Sequence, residues 1–60
     1  MNEQLAFLYA EILWDEYNEV AQKARDALAK GQKLKALGLA ILAHKIYQDY
    51  EQIVYASMLI

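Results

Sequence analysis

The sequence predicts an all-α protein: a helical hairpin of two long antiparallel helices that assembles head to tail with a second copy into a homodimeric four-helix bundle. Apolar residues recur at spacings of three and four over two long stretches, which is the period of a helix that buries one face. Gly31 is the one strong break signal between the stretches. Residues 36–43 hold no charged or polar side chain, so this segment is apolar on every side and needs more cover than one neighbouring helix provides.

The first helix is expected to span about residues 3–30. Asn2 is a good N-cap, and a carboxylate at Glu3 suits the positive end of the helix dipole. The chain has no proline, and no glycine precedes Gly31. Its apolar seam comprises Ala6, Ala10, Leu13, Tyr17, Val20, Ala24 and Ala27. A second row, one residue further on, is expected to widen the seam towards the core and comprises Phe7, Trp14, Ala21 and Leu28.

The turn is expected at residues 31–32, because glycine readily adopts the left-handed conformation that ends a helix. A single continuous helix is the alternative, but it would place Lys45, Gln48 and Gln52 on the apolar stripe. The phase of the pattern instead changes across the glycine, as it does when a chain turns back. The second helix is then expected over about residues 33–59, with a stripe of Ala36, Leu39, Ala43, Ile46, Tyr50 and Ile53.

Oligomerisation follows from the size of the chain. Sixty residues form one domain, spanning 1–60, and so short a chain usually needs disulfides, a metal or a second copy for stability. It contains no cysteine and one histidine, while 58% of its residues are hydrophobic. In a hairpin that pairs residue i with about residue 63 − i, the all-round apolar segment 36–43 lies near the turn and the apolar segment 5–14 lies at the open end. The two meet only if two copies pack head to tail.

Charge favours the same orientation. Residues 23–45 carry a net charge of +5, residues 1–22 carry −5, and residues 46–60 carry −2. Head-to-tail packing sets the basic half of one copy against the acidic half of the other. Exposed ion pairs contribute only ~0.2–1 kcal/mol each, so charge selects the orientation more than it adds stability.

The predicted partner is a second copy of the protein itself, and a dimer is favoured over a higher oligomer. Another protein that covers the same apolar surface is the alternative. The residues expected at the self-association interface are the larger apolar side chains of both segments and their neighbours: Leu5, Leu8, Tyr9, Ile12, Leu13, Trp14, Tyr17, Leu37, Leu39, Ile41, Leu42, Ile46 and Tyr50.

A second hypothesis is a small regulator that binds nucleic acid through a basic turn. Lys30, Lys33 and Lys35 flank the start of the second helix, whose free N–H groups favour an anion such as phosphate. No aromatic residue is interleaved with these lysines to stack on bases. We therefore favour a solvated turn, or contacts with acidic residues of a partner, over a phosphate site.

Metal binding, cofactor binding and catalysis find little support in the sequence. His44 is followed by Gln48 and Glu51 on one helix face, but this is not the spacing of a common ligand pair. The acidic row of Glu11, Asp15 and Glu19 is more typical of a solvated face than of a cation site. There is no cysteine nucleophile and no glycine-rich phosphate loop. We expect no enzyme, no cofactor and no metal.

No segment reaches the ~20 consecutive apolar residues that span a bilayer, and no basic region with a cleavage site marks a signal peptide. A natural chain of this kind is expected in the cytoplasm, and the pattern is equally compatible with a de novo design. The function expected from the sequence is structural: self-association, without catalytic activity.

Overall fold

The computed structural model describes residues 3–58 and contains two α-helices, α1 (Glu3–Ala29) and α2 (Lys33–Met58). The helices pack against each other as a hairpin with extents of 45 × 14 × 11 Å between Cα atoms. The predicted all-α helical hairpin is therefore confirmed. The predicted N-cap, Asn2, and the predicted end of the second helix, Leu59, lie outside the described residues. Neither helix, over the described residues, is long and apolar enough to cross a membrane.

Gly31 ends α1 in the conformation that the sequence predicts. Its φ angle is +76°, its N–H donates to the carbonyl of Leu28 over 3.0 Å, and the N–H of Gln32 donates to the carbonyl of Ala27 over 2.9 Å. These two bonds form a Schellman cap, which satisfies carbonyls that the end of a helix leaves free. The cap places Lys30 in the turn, directly after Ala29, the last residue of α1.

The seam between the helices is the predicted one. Ala6, Leu13 and Ala27 of α1 and Ala36 and Ala43 of α2 are buried. The other members of both predicted stripes are half-buried: Ala10, Tyr17, Val20 and Ala24 on α1, and Leu39, Ile46, Tyr50 and Ile53 on α2. The period of three and four residues thus identified the contact line of each helix, because only residues at that spacing stay on one side of a helix.

Ring contacts fix the register of the hairpin. The rings of Trp14 and Tyr50 have centroids 5.2 Å apart, and those of Tyr17 and Tyr47 have centroids 5.5 Å apart. In both pairs the residue numbers add up to 64, one more than the predicted 63.

The second row of α1 does not face the core of the hairpin, contrary to the sequence prediction. Phe7 is 73% exposed and Leu28 is 59% exposed, while Trp14 is 41% exposed and only Ala21 is half-buried. Each helix covers only one seam along the other. A side chain a quarter-turn away from that seam extends past the neighbouring helix. These side chains stay uncovered within one hairpin.

Candidate self-association surface

A single hairpin leaves most of its large apolar side chains in solvent. Four of the five buried apolar residues in the described part of the chain are alanines, and the fifth is Leu13. The large apolar residues that are exposed are Leu5, Phe7, Leu8, Tyr9, Ile12, Trp14, Leu28, Leu34, Leu37, Ile41, Leu42, Tyr47, Tyr55 and Met58. Soluble monomers seldom expose contiguous apolar patches of more than a few hundred Å². Whether these residues form such a patch depends on how they are arranged on the two helices.

Two grooves lie side by side on one broad face of the hairpin, in the half near the turn. The first has a volume of about 390 Å³ and is lined by Tyr17, Ala21, Ala24, Arg25, Ala40, Ala43, His44 and Tyr47. The second has a volume of about 340 Å³ and is lined by Ala24, Arg25, Leu28, Lys33, Ala36, Leu37 and Ala40. Their floor is alanine from both helices, because short side chains facing each other across the seam leave space above them.

The same face carries bulky side chains at the open end. Phe7 lies two heptads before Ala21, and Trp14 lies one heptad before it. The row of Phe7, Trp14, Ala21 and Leu28 therefore runs along this side of α1. On α2 a third groove, of about 250 Å³, is lined by Val54, Ser57 and Met58 together with Phe7 and two alanines of α1. We call this side the grooved face; it comprises Phe7, Trp14, Ala21, Leu28, Lys33, Leu37, Ala40, His44, Tyr47, Glu51, Val54 and Met58.

An aromatic cluster closes the first groove on the side of the open end. The Trp14 ring stacks on Tyr17 at 5.5 Å between centroids and lies 5.2 Å from Tyr50. Tyr47 completes the cluster at 5.5 Å from Tyr17 and 6.1 Å from Tyr50. Each such pair contributes ~0.5–1.5 kcal/mol beyond the burial of apolar area, so the cluster stabilises the middle of the hairpin.

The opposite side differs in chemistry. A depression of about 240 Å³ near the turn is lined by Lys23, Asp26, Ala27, Lys30, Gln32, Lys35 and Leu39. Steps of seven residues from Lys23 and Lys35 identify the other positions along the centre of this side. We call it the lysine face; its central positions are Tyr9, Glu16, Lys23, Lys30, Lys35, Leu42 and Asp49. Five of these seven are charged, whereas two of the twelve grooved-face residues are charged, Lys33 at the turn end and Glu51 between His44 and Met58.

The residues predicted at the interface are divided among these surfaces. Leu13 is buried within the hairpin, and Tyr17, Leu39, Ile46 and Tyr50 are half-buried in it. Trp14 and Leu37 lie on the grooved face. By helical period, the remaining exposed ones lie on the lysine face or its edge (Leu5, Tyr9, Ile12, Leu42) or on the outer sides of the helices (Leu8, Ile41).

Several exposed members of the grooved face are not among the residues predicted at the interface. Phe7, Leu28, Tyr47 and Met58 were assigned to the core or left out, although all four are exposed. The signal that could have found Phe7 and Leu28 is the heptad row one residue beyond the seam of α1. Whether this row is buried or exposed depends on how far the second helix extends across it, and the row alone does not determine that.

The three lysines of the predicted anion site do not converge. Lys30 and Lys35 line the depression on the lysine face, together with the carboxylate-bearing Asp26, while Lys33 lines the second groove on the grooved face. All three side chains are exposed. The hairpin therefore spreads its positive charge around the turn instead of directing it at one point.

The other candidate ligands lie at the surface. His44 lines the edge of the first groove, and Glu11, Asp15 and Glu19 are exposed along α1. Glu19 pairs instead with Lys23 across one helical turn, at 3.9 Å. Among the described side chains, those of residues 4–58, no three His, Cys, Asp or Glu are grouped so that they could hold a metal ion.

No family model matches the chain, and no match was found among curated proteins or solved structures.

Proposed function

We propose that this chain is a structural, self-associating protein without catalytic activity, and that it forms a head-to-tail homodimeric four-helix bundle. The observation that carries the proposal is the set of exposed large apolar side chains, which includes Phe7, Leu37 and Met58. Burial of a fully exposed side chain of this size is worth ~1.5–3 kcal/mol, so a surface that holds many of them favours association strongly. A second identical hairpin is the simplest cover, because it presents the same apolar surface.

The distribution of charge supports the head-to-tail orientation. The half of the hairpin near the turn, residues 23–45, carries +5, and the two segments of the open half carry −5 and −2, which combine to −7. Head-to-tail packing brings the halves of opposite sign together at both ends of the bundle. Head-to-head packing would set +5 against +5 and −7 against −7, which is unfavourable.

The experiment is the solution mass, measured by light scattering over a hundredfold range of protein concentration at moderate salt. The expected result is a mass of two chains that persists on dilution into the low micromolar range. A mass of one chain throughout the range contradicts self-association. A mass of four or more chains contradicts the dimer while leaving self-association in place.

A further inference from the structure

The two halves of the grooved face differ in the size of their side chains. Phe7 and Met58 stand out at the open end, where they are 73% and 74% exposed, and Trp14 is 41% exposed nearer the middle. Near the turn the same face is a trough floored by alanines, with two grooves of about 390 and 340 Å³. One half therefore presents projections and the other presents spaces that are large enough for aromatic rings.

We propose that the grooved face is the dimer interface and that Phe7 and Trp14 of each copy dock in the alanine-floored grooves of the other. This inference rests on the proposed self-association and specifies which surface performs it. The occupant of the grooves is a second copy of this chain.

Positions along the hairpin support this assignment. Glu3 lies at the open end and Gly31 at the turn, so in a complete head-to-tail overlap residue i of one α1 lies level with residue 34 − i of the other. Trp14 then lies level with residue 20, beside the first groove, which α1 lines from Tyr17 to Arg25. Phe7 lies level with residue 27, beside the second groove, which α1 lines from Ala24 to Leu28.

The two-fold symmetry of such a dimer stacks α1 on α1 and α2 on α2 of the second copy, each pair antiparallel. Tyr47 pairs in register with Tyr17, and residue 17 lies level with itself in the second copy. Tyr47 therefore lies at the two-fold axis, with its counterpart directly opposite. The alanines let the stacked helices approach closely, while the aromatic rings fill the wider levels.

Charge favours the grooved face over the lysine face. Burial of the lysine face would remove Glu16, Lys23 and Asp49 from water at its centre, and interface cores are depleted of such residues. On the grooved face Arg25 lies at the rim and Lys33 at the turn end, which leaves Glu51 as the one charged side chain in its central part. Arg25 is level with residue 9 of the second copy, about 3 Å along the helix from Glu11 on the same edge.

The face also has the size that a dimer needs. Its Cα plane measures 45 by 14 Å, and the product of these lengths is roughly 630 Å² before side chains add to the contact. Stable complexes bury about 800 Å² per partner. The grooved face reaches that area only if the two copies overlap over their full length, which is the overlap assumed above.

Cysteine cross-linking tests which face pairs. The chain has no cysteine, so an introduced thiol reports only on its own position. Tyr47→Cys lies on the grooved face at the two-fold axis, and Glu16→Cys lies at nearly the same level on the lysine face. We expect mild oxidation to convert Tyr47→Cys to a covalent dimer on a non-reducing gel at least tenfold faster than Glu16→Cys.

The outcomes separate this inference from the proposed function. Faster cross-linking of Glu16→Cys, equal rates, or no cross-linking of a folded Tyr47→Cys protein would overturn the assignment of the face while the wild-type mass of two chains still stands. A monomeric wild-type protein would overturn both. Circular dichroism establishes whether each variant retains its helices.

Fluorescence of Trp14, the only tryptophan in the chain, provides a test that needs no substitution. In the hairpin its side chain is 41% exposed. If it docks in a groove of the second copy, acrylamide quenching should fall at least threefold as the concentration rises through the monomer–dimer transition, and the emission should shift to the blue. Unchanged quenching across that transition would show that Trp14 lies outside the interface.

Discussion

The indole of Trp14 on α1 and the phenol ring of Tyr50 on α2 lie with centroids 5.2 Å apart and planes tilted by 42°. This contact joins the helices at the level where the alanine seam gives way to large side chains. Tyr17 and Tyr47 extend it into a four-ring cluster. Because the buried core is otherwise almost entirely alanine, the cluster supplies much of the apolar contact within one hairpin.

Removal of one ring from the cluster should destabilise the protein. Tyr50 is half-buried, so Tyr50→Ala is expected to lower the free energy of unfolding by about 1.5–3 kcal/mol, less than the 3–5 kcal/mol typical of a fully buried aromatic residue. Urea denaturation at a fixed protein concentration measures it. Tyr50→Phe keeps the ring and should change stability by less than half as much; an equal loss would show that the hydroxyl group, not the ring, carries the effect.

A charge in the seam should prevent folding and assembly together. Leu13 is the one large side chain in the buried core of the described hairpin, and Leu13→Asp would place a carboxylate there without a partner. We expect loss of helical circular dichroism and a monomeric mass. Leu34→Asp is the matched control, because Leu34 is 86% exposed on the outer side of α2. A folded monomer of Leu13→Asp would mean that the seam serves assembly alone.

The two glycines should respond to alanine in opposite directions. Gly31 has φ +76°, which costs a side-chain-bearing residue ~1–2 kcal/mol, so Gly31→Ala should lower the thermal midpoint. An added Cβ at Gly38 meets nothing within 4 Å, and alanine is favoured in helix interiors by ~1 kcal/mol, so Gly38→Ala should raise it. Thermal unfolding measures both. If Gly38→Ala weakened association, a helix of another copy would have to pass close to that side of α2.

The start of α2 should accept a better cap. The Gln32 carbonyl accepts the N–H of Ala36 over 2.9 Å, which makes Gln32 the residue that begins the helix, and glutamine is a poor choice there. Gln32→Asp should stabilise the protein by about 0.5–2 kcal/mol by bonding free N–H groups and by offsetting Lys33 and Lys35. Gln32→Ser separates the two effects, since it caps without charge. No gain from either variant in urea denaturation would mean that the turn already satisfies these groups.

Charge reversal should report the orientation of the two copies. Arg25→Glu at the rim of the grooved face removes its attraction to Glu11 of the second copy in a head-to-tail dimer, so the dissociation constant should rise about three- to tenfold. Lys23→Glu makes the same change of charge on the lysine face and should alter it less than twofold. Sedimentation equilibrium at low salt measures both constants. Tighter association of Arg25→Glu would indicate head-to-head packing, in which the two basic halves lie together.

Local chemistry and periodicity were sufficient to predict the hairpin. Gly31 specifies the end of α1 because the turn needs a left-handed residue, and the seam from Ala6 to Ala27 follows from helical spacing alone. The end of α1 was predicted at about residue 30, and α1 ends at Ala29. The exact position depends on which carbonyls the turn caps, and the bonds from Gly31 and Gln32 decide that.

The surface could be predicted only in part. Ile12 and Leu13 are adjacent and similarly apolar, yet Ile12 is 54% exposed and Leu13 is buried. The sequence by itself determined two amphipathic helices, their turn, and an excess of apolar side chains over what one hairpin can bury. Only the tertiary structure decided which of these side chains share a face and where grooves open between them. The physical reason is that exposure and empty volume depend on the side chains of both helices together, whereas helical period describes each helix alone.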